Sequence, residues 1–338
     1  MLALASAALF GASTPLAKAL IGTVSPWLLA GLLYLGSGIG LFVLARLRGR
    51  AAETPLARAD APWLALVVLA GGVIGPVLLM LGLASTPASS ASLLLNLEGV
   101  LTLTIAWSLF RENVDRRIFV GACAILGGAV LLSWDGPAGG FGWGALWIAG
   151  ACLAWAVDNN LTRKISGADP LQIAMVKGLA AGAVNVALAL LLRAPWPAPG
   201  AVAAAGLVGF LGYGVSLALF VLALRHLGTA RTAAYFSAAP FVGALVAIVG
   251  FGEAVTQNFL AAAALMALGL YLHLAERHEH EHAHEPLAHE HRHSHDAHHG
   301  HAHGPGDPPG EPHAHAHAHG RMVHRHPHYP DIHHRHIH

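Results

Sequence analysis

Three ionisable side chains lie inside long apolar stretches of this 338-residue chain. Glu98, Asp158 and Lys177 each sit among neighbours that carry almost no charge. If those stretches cross a bilayer, a charge at a helix centre costs about 2.5–3.5 kcal/mol on insertion scales, so such groups normally face a bundle interior or a water-filled cavity. They are therefore candidates for binding a solute or for carrying a coupled proton. The alternative is a structural ion pair, for example between Glu98 and Lys177.

Amide side chains lie next to both carboxyl groups. Asn96 precedes Glu98 by two residues, and Asn159 follows Asp158 directly. An amide can donate a hydrogen bond to a carboxylate and accept one from a solute. The predicted substrate or coupling pathway therefore consists of Glu98, Asp158, Lys177, Asn96 and Asn159.

The C-terminal segment, residues 276–338, is the second concentration of residues that could do chemistry. It holds all but two of the 25 histidines, many of them alternating with other residues. In an extended chain, alternation places imidazoles on one side, about 6.5–7 Å apart. Imidazole binds zinc, nickel, cobalt and copper ions, so we expect these divalent metals in the tail and no other cofactor. The predicted ligands are His278, His280, His282, His284, His289, His291, His293, His295, His298, His299, His301, His303, His313, His315, His317 and His319.

This tail has almost no apolar residues between its histidines, prolines, glycines and acids. Because such a composition cannot form a packed core, the tail is predicted to be disordered. Two interpretations stay open: a metal-responsive segment, or a low-complexity extension that only solvates the C-terminus.

The rest of the chain has the composition of a membrane protein. Hydrophobic residues make up 55% of the sequence and charged residues 11%, whereas a soluble domain carries roughly a quarter charged residues. Short charged or Pro/Gly-rich segments divide residues 1–275 into ten apolar runs, each near the length that crosses a bilayer. We therefore predict an all-α integral membrane protein with ten transmembrane helices. The predicted spans are 1–21, 26–45, 62–83, 88–110, 117–134, 141–161, 170–192, 202–224, 231–250 and 255–275.

The basic residues predict the orientation of these spans. One set of alternate loops carries most of the basic residues. The opposite set holds little beyond Arg193, with Lys18 near the end of the first span. Because cytoplasmic loops are enriched in Lys and Arg, both termini are predicted to lie in the cytoplasm, in a multi-pass protein of the inner (plasma) membrane. The basic residues of the predicted cytoplasmic loops are Arg46, Arg48, Arg50, Arg58, Arg111, Arg116, Arg117, Arg163, Lys164, Arg225 and Arg231.

An internal repeat divides the spans into two sets of five. At an offset of 141 residues, Glu112 falls on Glu253 and Gly128 falls on Gly269. The two glutamates close the fourth and ninth spans, and we interpret them as interfacial structure. With five spans in each half, the second half enters the membrane upside down, as in the inverted repeats of secondary transporters. The predicted domains are residues 1–134, 141–275 and the tail 276–338.

Several segments resemble the EamA-type members of the drug/metabolite transporter superfamily. They are Leu9–Pro15 in span one, Ala88–Leu94 entering span four, Glu112, and the pair Gly252–Glu253. The resemblance covers residues 1–275 and implies ten helices, two five-helix repeats and transport of small metabolites, usually outward. Many members carry a proline where this chain has Glu98, so the resemblance does not define a substrate.

Some classes of protein are excluded by what the sequence lacks. It contains no GxxxxGK[ST] phosphate-binding loop and no other enzyme signature, so we do not expect an enzyme. Its basic residues are scattered singly and form no continuous stripe, so nucleic acid is not an expected partner.

The sequence thus leads to two hypotheses. The first is a secondary transporter that exports a small solute, a metabolite or a metal ion, with a metal-responsive cytoplasmic tail. The second is a membrane-anchored buffer or sensor of divalent metal that transports nothing. The expected partners are the lipid bilayer, the solute and divalent metal ions, and a homodimer stays open. The polar residues in spans four and six favour the first hypothesis, because a mere anchor has no use for them.

Overall fold

A computed structural model describes residues 1–48, 55–110, 116–134, 142–162, 164–165, 168–227, 232, 235–274, 279–284, 287–293, 313–319 and 322–327. Through residue 274 the described part is helical apart from turns. The first half contains α1 (Leu2–Leu20), α2 (Pro26–Arg48), a 3-10 turn (Arg58–Asp60), α3 (Ala61–Val67), a π segment (Val68–Ile74), α4 (Gly75–Ser85), α5 (Ala88–Leu94), α6 (Leu97–Phe110) and α7 (Arg116–Ser133). The second half contains α8 (Trp143–Thr162), α9 (Pro170–Leu191), α10 (Pro199–Gly209), a second π segment (Phe210–Val215), α11 (Ser216–Leu227), α12 (Ala239–Phe251) and α13 (Gln257–Leu274).

The helices fall where the apolar runs predict them. Within the described residues, eight helices or joined helices are long and apolar enough to cross a membrane. The sixth predicted span, 141–161, overlaps α8, which has 20 residues. A shorter apolar helix, α12, covers only the second part of the ninth predicted span, 231–250. Large apolar side chains such as Leu47, Trp143 and Val249 are more than 70% exposed on these helices, as expected for surfaces that face lipid. The protein is therefore a multi-pass helical membrane protein.

The disorder predicted for the tail stays a prediction, and the structure describes extended backbone in parts of the tail. The described part of the tail contains four strands in two antiparallel pairs, in which β1 pairs with β4 and β2 with β3. Strict alternation of histidine with other residues has the period of a strand, which explains why this composition adopts extended backbone. The strands are β1 (Glu279–His284), β2 (Leu287–His293), β3 (His313–His319) and β4 (Met322–Pro327).

Helix bounds in the two halves correspond at an offset of about 141 residues. Helix α7 (116–133) shifted by 141 becomes 257–274, the bounds of α13, and α1 (2–20) becomes 143–161, close to those of α8. Contacts correspond as well: α1 packs against α12 as α8 packs against α6, and α1 packs against α11 as α8 packs against α4. The pairs α2–α9 and α7–α13 join equivalent helices of the two halves.

Two kinds of irregularity also recur in both halves. Residues 95–96 form a turn that interrupts span four between α5 and α6, and residues 237–238 form a turn directly before α12 in span nine. The π segments lie at equivalent places in spans three and eight, since 68–74 shifted by 141 is 209–215. Short π turns inside α-helices are frequent at functional sites.

Glycines allow α2 and α9 to approach closely. A Cβ atom on Gly178 would lie 2.8 Å from the Cα atom of Gly38, and one on Gly182 would lie 2.6 Å from the backbone nitrogen of Leu35. Because no side chain fits at these positions, the two backbones pack directly against each other.

Candidate functional site

Asp158 and Lys177 form an ion pair between α8 and α9. The Lys177 ammonium donates to Oδ2 of Asp158, and the two side chains are 19% and 5% exposed. Thr162 lies one turn further along α8, and its hydroxyl donates to Oδ1 of Asp158 at 3.2 Å. A buried charge pair of this kind needs hydrogen bonds to its remaining lone pairs, and Thr162 supplies one.

Glu98 lies directly after the interruption of span four and contacts α8. The Asn159 amide donates to Oε1 of Glu98 at 2.9 Å, and it reaches the hydroxyl of Thr102 at 3.5 Å. Glu98 is half-buried, whereas Asn159 is exposed. The Glu98–Lys177 pair considered as the structural alternative does not form, and the contacts are Asp158–Lys177 and Glu98–Asn159. The reason is packing: α6 carries Glu98 against α8, while α8 and α9 both pack against the first π segment.

The first π segment explains how the ion pair fits between helices. A Cβ atom on Gly71 would overlap the carboxyl group of Asp158, and one on Gly72 would lie 3.6 Å from Cγ of Lys177. The missing Cβ atom of Gly71 therefore provides the space that the Asp158 carboxyl group occupies, whereas the distance from Gly72 to Lys177 is an ordinary van der Waals contact. In the same segment the N–H of Gly75 bonds to the carbonyl of Ala70, five residues earlier, as a π turn requires.

Pro76 leaves two backbone carbonyls of this segment without a donor from their own helix. It has no N–H, so Gly72 lacks its α-helical donor and Gly71 lacks its π-helical one. Side chains of other helices replace them. The Asn185 amide donates to the Gly72 carbonyl at 3.0 Å. The Gly71 carbonyl accepts from Tyr34 Oη at 2.8 Å and from Trp155 Nε1 at 2.9 Å.

Sequence reasoning missed this ring of donors around the π segment. Asn185 is fully buried, and its side-chain oxygen has no hydrogen-bond partner among the described residues. A lone amide in the seventh apolar run could have been selected by the same argument that selected Glu98. Tyr34 and Trp155 carried no such signal, because aromatic residues are common in membrane helices.

Asn96 is the predicted site residue that the structure does not connect to the others by a hydrogen bond. Its amide donates to the carbonyl of Leu93 at 2.8 Å and reaches the sulfur of Met266 at 3.9 Å. The Leu93 carbonyl also accepts from the backbone N–H of Asn96 at 3.0 Å, so the side chain adds a second bond at the end of α5, where the helix is interrupted. Asn96 therefore stabilises the break that precedes Glu98.

Aromatic rings extend from the site towards α1 and span nine. Tyr34 lies 5.7 Å from Tyr213, Tyr213 lies 5.8 Å from Phe10, and Phe10 lies 5.4 Å from Phe236, measured between ring centroids. Contacts in this distance range are favourable for aromatic pairs. The chain of rings starts at the donor to Gly71 and ends beside the interruption of span nine.

Glu253 joins the two halves at the other end of span four. Its carboxylate accepts from the backbone N–H groups of Ala88 at 2.7 Å and Ser89 at 2.8 Å, which are the first residues of α5. Gly252 ends α12 with a positive φ of 67°, a conformation that favours glycine and turns the chain back. Lys18 donates nearby to the carbonyls of Leu83 and Ala84. Glu112, the repeat equivalent of Glu253, lies outside the described residues.

The structure describes ten of the sixteen predicted metal ligands by their backbone. In the β2–β3 pair, His289 lies opposite His317, and His291 lies opposite His315. No group of three or more His, Cys, Asp or Glu side chains able to hold a metal occurs among the residues searched, which are those the structure describes. The ligands at positions 278, 295, 298, 299, 301 and 303 lie outside the described residues.

Together these contacts define a polar centre inside an apolar helical bundle. The Asp158 carboxylate is neutralised by the Lys177 ammonium group. The Glu98 carboxylate accepts a hydrogen bond from the amide of Asn159, which is exposed. Such a centre can bind a polar or charged solute, or exchange a proton, without exposing bare charge to lipid.

The fold and the buried polar centre are those of a polytopic membrane protein built from two similar halves. The sequence profile of the EamA-like transporter family matches residues 1–134 and 142–275. The chain belongs to the EamA-like transporter family, which confirms the resemblance drawn from the sequence.

Two known proteins are similar to the chain. An "Uncharacterized transporter" of Methanothermobacter thermautotrophicus is 28% identical over 258 residues, which cover 71% of this chain and 75% of that protein. A solved crystal structure of a protein superposes with a TM-score of 0.60 at 24% identity, covering 80% of this chain and 95% of the other. The similarity to the solved crystal structure shows a shared fold.

Proposed function

We propose that the protein is a secondary transporter that exports a small solute past Glu98, Asp158 and Lys177. The cell membrane holds it with both termini in the cytoplasm, and transport involves no enzymatic step. The solute is a metabolite or a metal ion that the polar centre can bind. The coupling energy comes from an ion gradient, since the sequence has no phosphate-binding loop for a nucleotide.

The observation that carries this proposal is the position of the polar centre between the two halves. Glu98 belongs to the first half, and Asn159, Asp158 and Lys177 belong to the second. Substrate sites of repeat-built transporters lie at the interface of the halves, beside interrupted helices. The turns at 95–96 and 237–238 are interruptions of this kind and support the assignment.

The proposal includes ten spans arranged as inverted repeats. Matching helix bounds and exchanged contacts support two equivalent halves. With an odd number of spans in each half, the halves have opposite orientations in the membrane, which allows the two sides to open in turn. The excess of Lys and Arg in one set of loops supports cytoplasmic termini.

We assign the tail a separate, metal-binding role. It binds Zn²⁺, Ni²⁺, Co²⁺ or Cu²⁺ and alters transport in response. Histidines directly opposite each other on neighbouring strands have Cβ atoms about 4.5–5.5 Å apart, a spacing from which two imidazoles can share a metal ion. The register of His289 with His317 and of His291 with His315 supports this role.

Flux measurements in proteoliposomes test the proposed pathway. For a solute that the wild-type protein transports, Glu98→Gln and Asp158→Asn should abolish or strongly reduce flux, while both variants still insert and fold. Lys164→Met is a matched control, because Lys164 is exposed and lies outside the polar centre. Normal flux in both carboxyl variants would make the carboxylates structural and move the pathway elsewhere. Metal binding without flux of any solute would favour the buffer or sensor instead.

A further inference from the structure

An open groove lies at one end of the contact between helices α7 and α13, where a cavity of about 510 Å³ is lined by Arg116, Arg117, Val120 and Leu272. The two helices stay in contact beside it. A Cβ atom on Gly121 would lie 2.6 Å from Cδ2 of His273, and Nε2 of His273 lies 3.0 Å from the carbonyl oxygen of Ile118. The groove is therefore a surface recess beside this contact.

The groove combines two positive charges with apolar walls. Arg116 and Arg117 are exposed, and neither has an ion pair or hydrogen bond with another residue that the structure describes. Val120 is 47% exposed, and the neighbouring Phe119 is 59% exposed, so this surface continues into the face that meets lipid. Leu272 supplies the apolar wall on α13.

We propose that this groove binds the phosphate headgroup of an anionic phospholipid, with an acyl chain against Val120 and Leu272. A guanidinium group matches the planar, bidentate geometry of phosphate oxygens, and two adjacent ones suit a single phosphodiester. Basic pockets between transmembrane helices on the cytoplasmic side are suited to anionic headgroups. The predicted orientation places Arg116 and Arg117 on that side.

A lipid fits the groove better than a soluble anion does, for a physical reason. The apolar walls stay covered only by an acyl chain, since a free phosphate would leave them facing water at the headgroup level. The acidic residues of the C-terminal tail are the competing occupant, because α13 leads directly into the tail. The tail carries acidic charge but no acyl chain, so a bound tail would leave the apolar walls of the groove uncovered.

Native mass spectrometry of the full-length protein, titrated with phosphatidylglycerol or phosphatidylcholine, tests the site. Each basic residue near a membrane surface contributes about fivefold to the binding of an anionic lipid, so R116Q/R117Q should weaken phosphatidylglycerol binding about 30-fold. Phosphatidylcholine binding should not change. R116K/R117K keeps the charge but loses the bidentate geometry, so it should lose less affinity than the glutamine variant.

The matched control is R46Q/R58Q, which removes two arginines from the same predicted side outside the groove. It should keep nearly the wild-type affinity, and unchanged thermal unfolding should show that all variants are folded. An equal loss in both glutamine variants, or equal binding of the two lipids, would overturn the proposal. Full displacement of phosphatidylglycerol by inorganic phosphate would assign the arginines to a soluble anion. Unchanged lipid binding in R116Q/R117Q with faster proteolysis of the tail would assign them to the tail instead.

Discussion

Breaking the Asp158–Lys177 pair separates its structural role from its role in transport. In Asp158→Asn the Lys177 ammonium, 19% exposed, loses its partner inside the membrane. Removing one member of a buried pair destabilises a protein by about 3–5 kcal/mol. Because Lys177 is partly exposed, we expect the lower end, about 3 kcal/mol.

The double variant Asp158→Asn/Lys177→Met should recover most of the lost stability. It leaves no unpaired charge, and replacement of a buried ion pair by neutral groups is often neutral for stability. We therefore expect each single variant to lose about 3 kcal/mol more than the double variant does. Unfolding in SDS titrations measures these free energies. Transport should stay abolished in the double variant, because the charges that bind the solute or proton are absent.

Glu98→Gln combined with Lys177→Met is the matched control for this cycle. Glu98 contacts Asn159 rather than Lys177, so this pair of variants should show a much smaller coupling energy. Additive losses for Asp158→Asn and Lys177→Met would contradict the ion pair. A double variant that is stable and transports normally would show that the pair only holds α8 against α9.

Three further predictions follow from other parts of the molecule. In a cysteine-free background, Arg58→Cys should react with a membrane-impermeant reagent only from the cytoplasm and Ala138→Cys only from outside; labelling from the same side would contradict the inverted repeat. Glu253→Ala should cost about 0.5–2 kcal/mol in unfolding free energy, because the first amides of α5 lose their acceptor, while Glu253→Gln should cost less. By calorimetry the full-length protein should bind several Zn²⁺ or Ni²⁺ ions and lose them between about pH 7 and 5.5, where protons compete for imidazole; a protein without residues 276–338 that binds as many ions would exclude the tail.

The positions of the helices were predictable from the sequence because the apolar runs have the length of a bilayer. The bounds of α7 and α13 differ from the predicted spans by one or two residues. The break at 95–96 and the π segments were not predictable in this way, since their composition is as apolar as that of regular helix. Gly71, Gly72 and Pro76 gave a local signal for the first π segment, but glycine is frequent throughout the chain.

Four of the five site residues selected from the sequence lie together in the structure, but their pairing was not predictable. Apolar surroundings were enough to select Glu98, Asp158 and Lys177. Their partners depend on which helices face one another, and that depends on close packing at glycines such as Gly71. The role of Asn185 was not predictable from the sequence either. It depends on the Gly72 carbonyl, which Pro76 leaves without a donor from its own helix.

The most direct test of the account is solute flux into or out of proteoliposomes, screened over small metabolites and divalent metals. We expect the wild-type protein to move at least one solute faster than empty liposomes do. A protein without residues 276–338 should still move it, with an altered response to added metal, whereas Asp158→Asn/Lys177→Met should not. Flux that never exceeds that of empty liposomes, or that survives in the double variant, would contradict the proposed transport site.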